Sequence, residues 1–138
     1  MNENFDEGRA RKIIEDGIKK IKREDIKKVI EKEEEIKNKI KGHLTKYLED
    51  IELFFSLLKS FINGEYRRVP WFTIAAVTVL LLYILNPLDI IPDFVPMVGL
   101  LDDATVVSAC MALIEKDLKA YKDWKLSKKG GKDERSHK

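Results

Sequence analysis

The residues of this 138-residue chain whose types and spacing invite a chemical reading lie at 85–103, in LNPLDIIPDFVPMVGLLDD. The stretch holds three of the chain's four prolines and the aspartates Asp89, Asp93, Asp102 and Asp103. Carboxylate oxygens suit Mg²⁺ or Ca²⁺, and a fold in this stretch would bring both aspartate pairs together. Their spacing matches no EF-hand loop, however, and no serine triad or glycine-rich phosphate loop accompanies them. The same residues also sit where helix starts need them. Asn86 can cap, Pro87 suits a first helical position, and Asp89 can reach back to free amides. Pro92 stops that turn, Asp93 repeats the capping role, and Pro96 and Gly99 bend the chain again. Asp102 and Asp103 stand at the start of a last helix, where their charge meets its positive end. A self-capped elbow is the simpler reading. No catalytic residue, metal site or cofactor is expected.

Other chemical candidates are sparse. His43 would need partners to hold zinc, and the only other histidine is His137. Cys110 is the single cysteine, so no internal disulfide can form, and it lies in an apolar run where a packed thiol is expected. Lys+Arg 26 against Asp+Glu 24 gives a formal charge of +2, too balanced for bulk nucleic-acid affinity. The basic end has no interleaved aromatics beyond Trp124, so no nucleic-acid partner is expected. The N-terminus has no apolar core of the signal-peptide kind, which places the chain facing the cytosol.

The elements that must position the elbow are helical. Ile14, Ile18 and Ile21 recur at i, i+4, i+7 in a helix expected from about Asp6 to Arg23. A second stretch opens near Asp25, a plausible N-cap, and carries Ile26, Val29, Ile30, Ile36, Ile40 and Leu44. Its run Glu31 to Glu35 reads as a solvated face, with Glu33 falling on the apolar seam. Stripes this thin cannot stand alone, so this arm (1–42) must fold back on its own domain or meet a partner or a second copy. An amphipathic helix follows, with Leu48, Ile51, Phe54, Phe55, Leu57, Leu58, Phe61 and Ile62 on its broad apolar face, closed by Asn63-Gly64. From residue 69 to 85 there is no charged side chain. Pro70 suits the first turn of a helix, and one over 71–85 would rise about 22 Å, short of the roughly 30 Å of a bilayer core. A second apolar run, 104–114, continues into a polar helix keeping Leu118, Tyr121 and Trp124 in helical spacing. Residues 127–138 form a basic tail expected to be disordered. No strand is expected, and the fold class is all-α: amphipathic N-terminal helices followed by an apolar helical hairpin with a Pro/Asp-rich elbow.

The elbow carries a resemblance. Tyr83, Pro87, Asp89, Pro92, Asp93, Pro96, Gly99, Asp102 and Asp103 match the spaced signature of the YkvA-like family, a domain of unknown function. Asn86 stands where many members have serine, and Leu100 where many have tyrosine. The resemblance covers about 69–114, within a helical domain taken as 43–126, and leaves the arm outside it. It implies a small helical, membrane-associated module with no established catalysis.

Charge asymmetry agrees with a membrane location. Arg67 and Arg68 flank the first apolar helix, Lys116 and Lys119 begin the basic run after the second, and the elbow between has only acidic charge. Trp71 and Trp124 stand where interfacial aromatics would sit. A hairpin with both ends cytoplasmic follows, shallow or re-entrant, because each aspartate at a bilayer centre costs about 3 kcal/mol. The alternative is a soluble bundle, with both apolar runs buried under the amphipathic helices. The functions weighed are a non-catalytic membrane-associated scaffold or adaptor, a soluble interaction protein, and a cation-dependent enzyme using the aspartates. The first is favoured.

Overall fold

The computed structural model describes the backbone of residues 2–42, 44–87 and 102–137, and the side chains of residues 7–42, 44–87 and 102–128. Six α-helices account for most of it, and there is no strand among the described residues. They are α1 (Asn2–Ile18), α2 (Arg23–Glu31), α3 (Glu33–Lys41), α4 (Leu48–Ile62), α5 (Trp71–Leu85) and α6 (Asp103–His137), with a 3₁₀ turn at Thr45–Tyr47. The elbow residues 88–101, with Asp89, Pro92, Asp93, Pro96 and Gly99, lie outside the described residues, as does His43.

The organising element is α5. Every residue from Thr73 to Leu85 is buried, and α1, α2, α3, α4 and α6 all pack against it. The sequence explains why. A helix that is apolar all round has no face to offer water, so it must be enclosed by protein or lipid. Here the enclosing medium is the rest of the chain. Its two buried threonine hydroxyls are both satisfied: Thr78 donates to the Ile74 carbonyl at 2.8 Å, and Thr73 to Asp117.

The arm supplies much of the enclosure. Ala10, Ile14, Ile26, Val29, Ile36 and Ile40 are all fully buried, in the same cluster as α5 and α4. The thin stripes of 1–42 are therefore used within the chain, and a partner or second copy would meet their charged outer face. Where α1 meets α5 the approach is close: a Cβ on Gly17 would lie 2.8 Å from Val79 Cγ1. Glycine is required there for lack of room.

Local boundaries depart from the sequence reading in four places. The first helix ends at Ile18, and the next begins at Arg23 with Lys22 as its N-cap. Asp25 sits at the third helical position, where its carboxylate accepts from the Lys22 amide at 2.8 Å, the reach-back half of a capping box. The Ile26 to Leu44 stretch is broken at Lys32, which separates α2 from α3 beside the seam residue Glu33. Glu33 turns aside from the core to take Lys37 and Lys59, each at 2.7 Å, so its charge ties α3 to α4. Pro70 precedes the first turn of α5 as its N-cap, with extended backbone (ψ 153°). Finally, the backbone of the segment expected to be a disordered tail continues α6 to His137. At its beginning Lys128 lies 5.1 Å from the Trp124 ring and 3.7 Å from Glu65, contacts that carry the helix past residue 126.

The shortfall in length read from the sequence recurs in the fold. Among the described residues, no helix is long and apolar enough to cross a membrane. The 15 residues of α5 reach about 22 Å, and α6 turns polar soon after Ile114. In this fold the hairpin of α5 and α6 is core, with the amphipathic helices wrapped round it.

Candidate functional site

Two ends of the bundle carry the residues singled out by sequence. At one end, α5 stops and α6 begins. The Asn86 backbone leaves the helix (φ −160°, ψ 97°) while its amide still donates to the Leu82 carbonyl at 2.7 Å. Pro87 is already helical again. This is the break that an Asn-Pro pair imposes, since proline disfavours helical geometry in the residue before it. Across the elbow, the Asp102 carbonyl accepts from the amides of Thr105 at 3.0 Å and Val106 at 3.2 Å, opening α6, and Asp103 lies in the first turn. Tyr83 is fully buried one turn before the end of α5. Among the described residues, no three His, Cys, Asp or Glu gather as a metal ligand set. Asp89 and Asp93 stand outside that description.

The opposite end is built by the turn from α4 into α5. Gly64 closes α4 at φ +80°, a left-handed position that glycine adopts at least cost. Tyr66 then dives into the core, its ring edge-on to Tyr121 (centroids 5.0 Å apart) and 4.8 Å from Trp124. Tyr121 and Trp124 stack at 5.7 Å on adjacent turns of α6. The Tyr121 hydroxyl bridges Ser56 at 2.6 Å and Ser60 at 3.0 Å, and Lys125 donates to Ser56 at 2.8 Å. Burial raises the Tyr66 phenol above its ordinary range; Asp117 and Tyr121 add to the effect and Arg68 opposes it. The phenol thus stays neutral. Ser56, Ser60, Tyr121, Trp124 and Lys125, with Glu65 and Lys128, line a cleft of about 290 Å³ between α4 and α6.

Of the interface candidates, the structure brings Arg67, Arg68, Trp71 and Trp124 to this end. Arg67 and Arg68 are exposed, Trp71 is 41% exposed, and Trp124 is a half-buried floor residue. Lys116 and Lys119 are exposed further back along α6. Lys119 pairs with Asp123 at 3.6 Å and also lines a larger cleft of about 440 Å³ with Asp50 and Met111. Burial pushes the Asp50 carboxyl up, against the pull of Lys122.

Three residues of this end escaped the sequence reading. Phe72 is 41% exposed beside Trp71, Leu126 is 69% exposed, and the Arg23 guanidinium lies 5.5 Å from the Phe61 ring centroid. Phe61 in turn lies 6.4 Å from Trp71. Leu126 had a signal: it falls off the Leu118, Tyr121, Trp124 stripe. Cys110, by contrast, is sealed in the core against the Ala76 carbonyl, its thiol pushed up to about 12 by burial. It does not ionise near neutral pH.

Comparison with known proteins places this geometry in a class. An all-α module with this elbow matches, over residues 73–109, the family described as a protein of unknown function (DUF1232). The chain is also 41% identical, over 81 residues, to the "Uncharacterized membrane protein YkvA" of Bacillus subtilis, covering 59% of this chain and 76% of that protein. The chain belongs to this YkvA-like family. No solved structure matches it.

Proposed function

We propose that the chain is a non-catalytic, membrane-associated helical module acting as a scaffold or adaptor, attached at the bilayer surface. The observation that carries this reading is the enclosure of α5: the most apolar segment is used inside the fold, so attachment falls to surface residues. The name of the Bacillus subtilis relative supports the membrane. The absence of catalysis is supported by the sealed thiol and by hydroxyls that hydrogen-bond one another. A second reading, an inserted α5–α6 hairpin, is favoured by the uncharged run at 69–85.

Fractionation of cells expressing the full chain, with alkaline carbonate washing and protease treatment of sealed vesicles, separates them. Surface attachment predicts sedimentation with membranes, release by carbonate, and both termini accessible from the cytosolic side. Resistance to carbonate would establish the inserted hairpin instead. Recovery wholly away from membranes would leave a helical interaction protein.

A further inference from the structure

The described residues leave three large apolar side chains in solvent: Trp71, Phe72 and Leu126. Trp71 and Phe72 open α5 at the end where α4 turns into it, whereas Leu126 lies on the face of α6 away from the Trp124 and Lys128 that reach Tyr66 and Glu65. Single exposed apolar residues are ordinary. An adjacent, exposed Trp-Phe pair close after an exposed Arg-Arg pair is a narrower observation.

Arg67 and Arg68 are exposed and separated from the pair only by Val69-Pro70. Arg23 reaches it through Phe61, while Lys125 and Lys128 of α6 are held at Ser56 and Glu65. The acids nearby keep their charge: Glu65 pairs with Lys128, Asp117 accepts from the Thr73 hydroxyl, Asp123 pairs with Lys119, and Glu24 is exposed beside Arg23. Arg67 and Arg68 are thus the exposed cations nearest the pair in sequence.

We infer that this end seats on a bilayer bearing anionic phospholipid headgroups, with Trp71 and Phe72 entering the interface and Arg67 and Arg68 meeting phosphates. The inference rests on the surface-attached reading above and names its docking face. Lipid fits better than a protein partner on size. Two partly exposed aromatics offer on the order of 200 Å², whereas a standard protein interface takes roughly 800 Å² per partner. A bilayer needs only a few interfacial aromatics and a basic cluster, each cation adding to attraction by the anionic leaflet.

The test is co-sedimentation of the purified full chain with vesicles of phosphatidylcholine alone and of phosphatidylcholine mixed with phosphatidylglycerol. Binding is expected to the mixed vesicles, weakening as salt is raised. Arg67→Gln with Arg68→Gln should reduce partitioning by about 30-fold at low salt, and Trp71→Ser with Phe72→Ser by about tenfold or more. Both pairs are surface positions, and unchanged melting curves would separate lost docking from lost fold. Equal binding to both vesicle types, or undiminished binding by folded variants, overturns the inference. A chain that sediments with cell membranes and is released by carbonate, yet ignores both vesicle types, overturns this docking face while leaving surface attachment standing. A chain found wholly away from membranes removes both.

Discussion

The ammonium of Lys39 donates to the main-chain carbonyl of Leu85, the last residue of α5, across 46 positions of sequence. The last carbonyls of a helix have no intrahelical partner, and a cation there also meets the negative end of the helix dipole. A residue of the charged arm thus finishes the most apolar helix at the point where the elbow begins. Lys39→Met should lower stability by about 1 kcal/mol, read as a fall in the urea midpoint at unchanged slope. An unchanged midpoint would mean that water caps Leu85 as well as lysine does.

Gly17 sets two effects against each other. Alanine is favoured over glycine within a helix by about 1 kcal/mol. A Cβ at this site, however, meets Val79 Cγ1 at 2.8 Å, and a β-branched side chain in a packed core has little freedom to yield, at about 1–3 kcal/mol. Gly17→Ala should therefore lose stability on balance, and Val79→Ala in the same chain should recover part of the loss. Additive losses in that double-mutant cycle would count against a steric cause.

Glu33 gives a pH dependence of known sign. Burial pushes its carboxyl upward, but hydrogen bonds and charge from Lys37 and Lys59 outweigh this and hold it below its ordinary 4.5. A depressed folded value means that the contribution is present above about 4.5 and is lost as pH falls through the folded value. The stability advantage of the native chain over Glu33→Gln should thus shrink between pH 6 and the acid range. A difference that stays constant down to pH 3 would show that the pair is not coupled to folding.

Cys110 should be silent to thiol reagents. With its thiol pushed up to about 12 and no exposed surface, it should resist alkylation at pH 8 in the folded chain and react in denaturant. Fast labelling of the native protein would reveal an opening of α6 away from α5.

The Tyr121 hydroxyl joins α6 to Ser56 and Ser60 of α4. Tyr121→Phe should cost about 1 kcal/mol and leave the aromatic stack in place, measured by thermal melting. A larger loss would mean that Lys125, which shares Ser56, depends on the same hydroxyl.

Much of this fold is legible in the residues themselves. The absence of charge from 69 to 85 gives α5 almost to the residue, and Asn63-Gly64 gives the end of α4, because both rest on local chemistry. The solvent of α5 was not legible. A helix apolar on every side reads alike whether lipid or five helices surround it, and the choice depends on partners such as Ile14 and Ile36, dozens of residues away. At the candidate site, Arg67, Arg68 and Trp71 were visible as a basic and aromatic cluster in the chain. Arg23 was not, because only the tertiary fold brings α2 to Phe61.

The enclosure of α5 also fixes an order of events at the ribosome. Helices α1 to α4, which form most of the wall, leave the exit tunnel before the helix they surround. Until residues 71–85 emerge, Ile14, Ile26, Ile36 and Phe55 have no common core to fill, and their apolar stripes remain available to chaperones or to one another. The late arrival of one 15-residue helix gives those walls a shared core, which α6, later still, completes. A nascent chain halted at Pro70 has walls and nothing to wall in.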